Sequence, residues 1–223
     1  MTARGERTRE HLLDVAERLF GERGVDAVSL REIRIAAGQR NASALQFHFG
    51  DRDGLLRALA DRHLPRLAET QLRLLEQTKA EGRERDPLSL VEVLIRPTAE
   101  YVAAGPSARA WLKIAAELAA RPERRFDEFA NGAPRQVIEA GGRLVELMAE
   151  RMPLRLAVER LLAVSQAMLH ISADRARFED AAQTGRTGLP FDAWVENVVN
   201  MAYGAVMAPV TPVTHRDTLP ARP

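Results

Sequence analysis

Between Ser29 and Gly54 the chain reads SLREIRIAAGQRNASALQFHFGDRDG. Arg40, Asn41, Ser43 and Gln46 can each donate to or accept from base edges and phosphates, and the Gln46 amide has the geometry that pairs bidentately with adenine. Ala42 and Ala44 are small enough to let a helix approach closely and to meet a thymine methyl. His48 and Arg52 follow where side chains would reach phosphates. Helices starting at Ser29 and near Asp51 would also offer unpaired backbone N–H groups to anions. This is recognition chemistry, with no nucleophile, base and orienting group gathered in one place.

The surrounding pattern builds helices to carry that cluster. From about Thr8 to Arg23, Leu12, Val15, Ala16, Leu19 and Phe20 fall on one helical face, and Gly24 closes the run. Ser29 opens a second helix, with Glu32 at capping-box spacing and Leu30, Ile33 and Ala37 facing inward. Gly38 ends it. A third short helix fits from about Asn41 through Phe47, with Asn41 as its N-cap and Phe47 and Phe49 as its anchors. A long leucine-rich helix then begins near Asp51 to Asp53 and contains Pro65, which should bend it.

Further helices are expected at Leu88–Ala104 (kinked at Pro97), Ser107–Ala120, Pro134–Met152, Leu154–Phe178 and Phe191–Met207. Loops are expected around Arg121–Ala133 and Asp180–Pro190, and a disordered tail after residue 208. In Leu154–Phe178 one stripe holds Val158, Leu161, Leu162, Ser165, Met168, Leu169 and Ser172. Ala163 and Ala167 lie roughly opposite, in line with His170 and Asp174. In Phe191–Met207 apolar residues surround most of the helix. A helix apolar all round needs a second partner surface, so homodimerisation through these two helices is expected.

Composition narrows the function class. Hydrophobic residues make up 46% and charged residues 28% of the 223 positions, ordinary for a folded domain with a sizeable core. There is no cysteine, which excludes disulfides and thiolate metal sites. No apolar run approaches the roughly 20 residues of a membrane span, and no secretory signal precedes the first helix, so a cytoplasmic protein without membrane contact is expected. The net charge of +1 leaves any basic surface local. No nucleotide-binding glycine loop, nucleophile elbow or paired-histidine helix face is present, and the histidines are scattered. Neither an enzyme nor a metal or cofactor protein is expected.

The residues alone allow two readings of the first three helices: a helix-turn-helix that enters the major groove, or a polar corner of an ordinary bundle. The segments TREHLLDVAERLFGERGVDAVSLREI, AAG and ALQFHFGDRDGLLRAL resemble the N-terminal domain of the TetR family of bacterial transcription regulators. The resemblance implies that Ser29 caps the second helix and touches a phosphate, and that Arg31 lies along the DNA backbone. Asn41, Ala42 and Ser43 would face the groove, His48 would hold a phosphate, and Arg52 would take the family's lysine position. Two departures stand out. The turn after Gly38 is one residue longer than the common form, and Gln46-Phe47 replaces a pair of aromatics. The longer turn leaves open which of Arg40, Asn41 and Ser43 meets a base. Upstream, Arg4, Arg7 and Arg9 resemble an arm, or a solvated terminus.

The resemblance further implies an all-α chain: residues 1–53 a helix-turn-helix domain, 54–208 a helical ligand-binding and dimerisation domain, and 209–223 the tail. The expected function is a ligand-responsive repressor, a homodimer on a palindromic double-stranded DNA operator. A helical protein–protein adaptor without DNA binding is the alternative. Tyr101, Trp111, Phe126, Phe129, Gln166 and His170 are the candidates to line an effector site, and a small apolar effector is expected because no single charge dominates these helices. His170 lies off the main stripe, which favours the dimer face over a pocket.

Overall fold

The computed structural model describes residues 3–121, 133–181 and 188–211. Phe126, Phe129 and residues 212–223 of the expected tail lie outside the described residues, as do most of the two expected loops. The described residues form helices without strands: α1 (Ala3–Arg23), α2 (Leu30–Ala36), α3 (Ala44–Phe49), α4 (Arg52–Ala80), α5 (Pro87–Glu100), α6 (Pro106–Ala119), α7 (Arg135–Ala149), α8 (Leu154–Asp180) and α9 (Phe191–Met207), with a 3-10 turn at Tyr101–Ala104. The all-α expectation is met. No helix among the described residues is long and apolar enough to cross a membrane.

Several boundaries move for local reasons. α1 begins at Ala3, so Arg4, Arg7 and Arg9 sit on helical turns and form no extended arm; Thr8 Oγ donates back to the Arg4 carbonyl at 3.1 Å. α3 starts at Ala44, three residues after its expected start, and Asn41 does not cap it. The Asn41 side chain instead accepts from the Ser43 N–H at 3.0 Å, a local bond that competes with helix and holds the longer turn open. α5 stops at Glu100 rather than Ala104, because the chain must turn at Gly105 (φ 109°) before Pro106 opens α6. α8 runs on to Asp180, whose carboxylate is paired with Arg109 and Lys113 of α6.

Two apolar cores organise the molecule. The first joins α1, α2 and α3 to the start of α4, the 3-10 turn and α6, with Leu12, Phe20, Ile33, Leu55, Leu59, Trp111, Leu112 and Ile114 fully enclosed. The second is built by α5, α7, α8 and α9 around Leu90, Val93, Leu144, Met148, Val198 and Val199. Each enclosed Leu, Ile or Phe contributes about 1.5–3 kcal/mol relative to exposure. α9 is buried on one face only: Val195, Val198, Val199, Ala202 and Val206 point inward, while Met201 and Ala205 are exposed. On α8 the inward residues are Ala157, Val164, Met168, Ser172, Ala173 and Ala176, and the expected stripe members Val158 and Leu162 stay largely exposed. Ala163 and Ala167 are exposed on the outer side of that helix.

The first core crosses from α1 to α6 through a close contact. A Cβ built on Gly21 would stand 2.7 Å from Ala110 Cβ and 2.9 Å from its Cα, so only glycine permits this spacing. Beside it, the Val25 N–H donates to Glu117 Oε2 at 2.8 Å, and Arg121 pairs with Asp26 at 2.7 Å. Alanine at position 21 gains helix propensity of at most about 1 kcal/mol, but here it must push two helix backbones apart. Gly21→Ala should therefore lower stability by about 1–3 kcal/mol, the usual cost of overpacking. A fall in the urea midpoint checks this; an unchanged or raised midpoint would contradict the packing.

Candidate nucleic-acid interface and effector cavity

The start of α2 is fixed by a reciprocal cap. Ser29 Oγ accepts from the Glu32 N–H at 3.2 Å, while the Glu32 carboxylate accepts from the Ser29 N–H at 2.7 Å and from its hydroxyl at 2.8 Å. Arg23 of α1 completes the set at 3.0 Å. These bonds, led by the Ser29 backbone N–H, hold the Glu32 carboxyl at about 2, well below the usual carboxylate range. The exposed end of α2 thus has a rigid entry angle, with Arg31 pointing to solvent.

Beyond α2, Gly38 (φ 63°) turns the chain, and the Arg34 guanidinium holds the turn by donating to the Gln39 carbonyl at 2.8 Å. Arg40, Asn41, Ala42, Ser43, Gln46 and Phe47 are all exposed, so turn and helix present one edge. α3 is held from beneath by buried Ala44 and Leu45, with Phe49 packed against the first core and covered by the Arg9 guanidinium 5.3 Å from its ring. Phe47 is not an anchor: it is 77% exposed, edge-on to His48 at 5.0 Å. With six residues and the longer turn before it, α3 buries a single narrow face, and position 47 falls outside it. His48 Nδ1 is buried without a hydrogen-bond partner, so any outward bond from this ring is made by Nε2.

Arg52, at the first position of α4, turns its guanidinium into the molecule. It donates to the Val25 and Val28 carbonyls, the latter at 2.6 Å, and lies 5.7 Å from the Phe20 ring. It thereby ties α4 to the α1–α2 connection. The Asp51 carboxylate caps α4 through the Gly54 N–H at 2.7 Å, as its position before the helix implied.

A second feature lies between α4, α5, α6, α7 and α8: a cavity of about 400 Å3. Its wall includes Leu64, Leu67, Leu94, Trp111, Val137 and Leu161, with Gln71, Thr98 and Ser165 as polar groups and no charged side chain among the described residues. The size and the sparse polar decoration are those of a small-molecule site. Of the effector candidates, Trp111 lines it. The Tyr101 hydroxyl sits 2.7 Å from His63 Nδ1, and the Gln166 amide donates to the Ala119 carbonyl at 2.9 Å. His170 is half-buried and outside the lining. Sequence reasoning missed the leucines of α4 and the α7 residues, because an apolar wall and an apolar core have the same periodicity. It also missed buried Glu17 and His63, which a stricter look at register could have flagged. Glu17 stands between Leu13 and Phe20, and His63 between Leu59 and Leu67, on otherwise apolar faces.

A capped helix, a glycine turn and a short helix with an exposed polar edge, mounted on a larger helical body, define a helix-turn-helix protein. Residues 12–59 match the family model for bacterial regulatory proteins of the tetR family. A stretch of 91 residues is 40% identical to the HTH-type transcriptional regulator AcrR of Shigella flexneri, covering 40% of each chain. Another of 63 residues is 36% identical to the HTH-type transcriptional repressor AcnR of Corynebacterium efficiens, covering 28% of this chain and 33% of that one. The chain thus spans less than half the length of these curated relatives. A crystal structure of a HlyIIR mutant protein superposes over 90% of this chain and 97% of its own with TM-score 0.53 at 16% identity, a likeness of fold. The likeness to the tetR family thus lies in the N-terminal residues, 12–59.

The capping carboxylate makes α2 sensitive to acid in a defined window. Glu32 has its pKa lowered on folding from about 4.5 to about 2, so its contribution is complete above the unfolded value and disappears as pH falls through the folded one. The difference in urea midpoint between the wild type and Glu32→Gln should be constant at neutral pH and close as the pH falls through that window. A difference independent of pH would show that the cap does not form.

Proposed function

We propose that the chain is a DNA-binding transcriptional regulator, acting as a homodimer that represses from a palindromic operator and responds to a small apolar molecule held in the cavity. The observation that carries this reading is the continuous exposed edge Arg40–Ser43, Gln46 and Phe47 on a rigidly capped helix-turn-helix. In this reading Gln46 and one or more of Arg40, Asn41 and Ser43 meet bases, and Ala42 lets the turn approach. Phe47 offers an apolar face to a thymine methyl or sugar. Ser29, Arg31 and His48 Nε2 lie against phosphates. Arg52 positions the reading helices, its guanidinium being engaged with the Val25 and Val28 carbonyls. Residues 1–53 then supply the head and residues 54–208 the regulatory and dimerising body.

The outer faces of α8 and α9 supply the dimer seam in this reading. Ala163 and Ala167 on one, and Met201, Gly204 and Ala205 on the other, are exposed small or apolar residues that allow close helix approach. A two-fold dimer mounts two heads on opposite half-sites, so the operator should share that symmetry. The cavity favours an uncharged effector, since a desolvated charge would find no charged partner among the described lining residues.

Purified protein should retard genomic fragments in an electrophoretic assay, with affinity falling steeply as salt rises. Gln46→Ala should cost about 1–3 kcal/mol on the selected fragment and relax preference at one base pair. Retardation of all DNA alike, with Gln46→Ala unchanged, would overturn the groove assignment. Ala167→Glu should halve the mass measured by light scattering and weaken operator binding; an unchanged mass would remove α8 from the seam.

A further inference from the structure

The cavity and α1 are joined by a buried polar chain. Trp111 lines the cavity, and its ring lies flat on His63 of α4, with centroids 5.2 Å apart and planes 4° from parallel. His63 is 2% exposed and uses both ring nitrogens: Nδ1 with the Tyr101 hydroxyl, Nε2 with the Glu17 carboxylate of α1. Glu17 is also buried, at 4% exposure, with Ser107 Oγ donating to it at 2.6 Å and Arg62 at 3.5 Å. Burial pushes this carboxyl up, but the bonds from His63 and Ser107 and the charges of His63 and Arg62 outweigh burial and hold it below its ordinary value. A carboxylate in so dry a place cannot lose a partner cheaply.

Apart from the apolar core and the Ser107–Glu17 bond, the ties between the α1 segment and α6 run through Ala110, Glu117 and Arg121, none of which lines the cavity. The Trp111–His63–Glu17 path differs. A molecule pressing on Trp111 must slide its ring across His63, and His63 cannot follow without lengthening one of its two bonds. We propose that this path is the link by which occupancy of the cavity changes the angle at which α1 carries the reading helices. Glu17 and His63 act as positioning residues, touching neither DNA nor the effector. The inference rests on the proposed reading of the cavity and the head, and adds the residues that connect them.

Coupling of this kind is reciprocal, so DNA must weaken binding in the cavity by the factor with which the occupant weakens DNA binding. The test uses Nile red, an uncharged dye that brightens in apolar surroundings, and a genomic fragment selected by the protein. In the wild type, bound DNA should lower the dye affinity at least about fivefold. In Glu17→Gln and His63→Phe that ratio should fall close to one, while dye affinity without DNA and DNA affinity without dye stay within about threefold of the wild type, well short of the weaker couplings known. Ser107→Ala loosens Glu17 without touching His63 and should keep the wild-type ratio. Persistence of the ratio in both folded variants would overturn the link, and so would equal loss in Ser107→Ala, which marks general loosening of α1. A dye that binds the wild type with the same affinity in the presence of DNA overturns the link alone. A dye that does not bind overturns the cavity reading, and failure to retard any fragment overturns the DNA reading, each taking the link with it.

Discussion

The crossing of α1 over α6 at Gly21 and Ala110 is the contact on which the rest of the architecture depends. Because α1 approaches α6 this closely, the first core runs unbroken from α2 and α3 into the helix that carries Trp111, Leu112 and Ala115 to the cavity. α1 packs on one side of α6, and Trp111, Leu112 and Ala115 of the same helix line the cavity. Close-packed interiors respond to a change of shape by shifting whole elements.

Around that crossing, polar groups fix the direction of each element where apolar packing alone would allow sliding. The Ser29–Glu32 box sets the entry of α2, Arg52 binds the α1–α2 connection to α4, and Glu117 captures the Val25 N–H. Most of these bonds end on backbone groups that would otherwise lie unpaired near the surface. Their combined effect is to present a short, weakly packed α3 as a rigid edge. A six-residue helix has little stability of its own, so its precision comes from Ala44, Leu45 and Phe49 below and from the turn in front.

Much of this is legible in the sequence. The capping box at Ser29, the glycine stop at Gly38, the Asp51 cap and the bounds of α9 follow from local chemistry that acts over three or four residues. The start of α3 was not legible, because Asn41 has two local options, a helix cap or a bond to the Ser43 N–H. The added residue in the turn selects the second. Phe47 was misread for the reverse reason: aromatic residues are usually buried, and only the narrow contact of α3 leaves this one outside. The cavity was invisible because Leu64, Leu94 and Leu161 lie far apart in the chain and obey the same periodicity as core residues. The buried Glu17–His63 pair joins α1 to α4 across 46 positions, a distance no local pattern spans.

The DNA-reading role of the exposed edge is the central claim, and sequencing the DNA fragments retained by the purified protein from a genomic or random pool tests it most directly. A two-fold symmetric motif is expected, with inverted half-sites at fixed separation, enriched by the wild type and degraded at one position per half-site by Gln46→Ala. A pool that shows no enriched motif, or one that Gln46→Ala leaves unaltered, would contradict it.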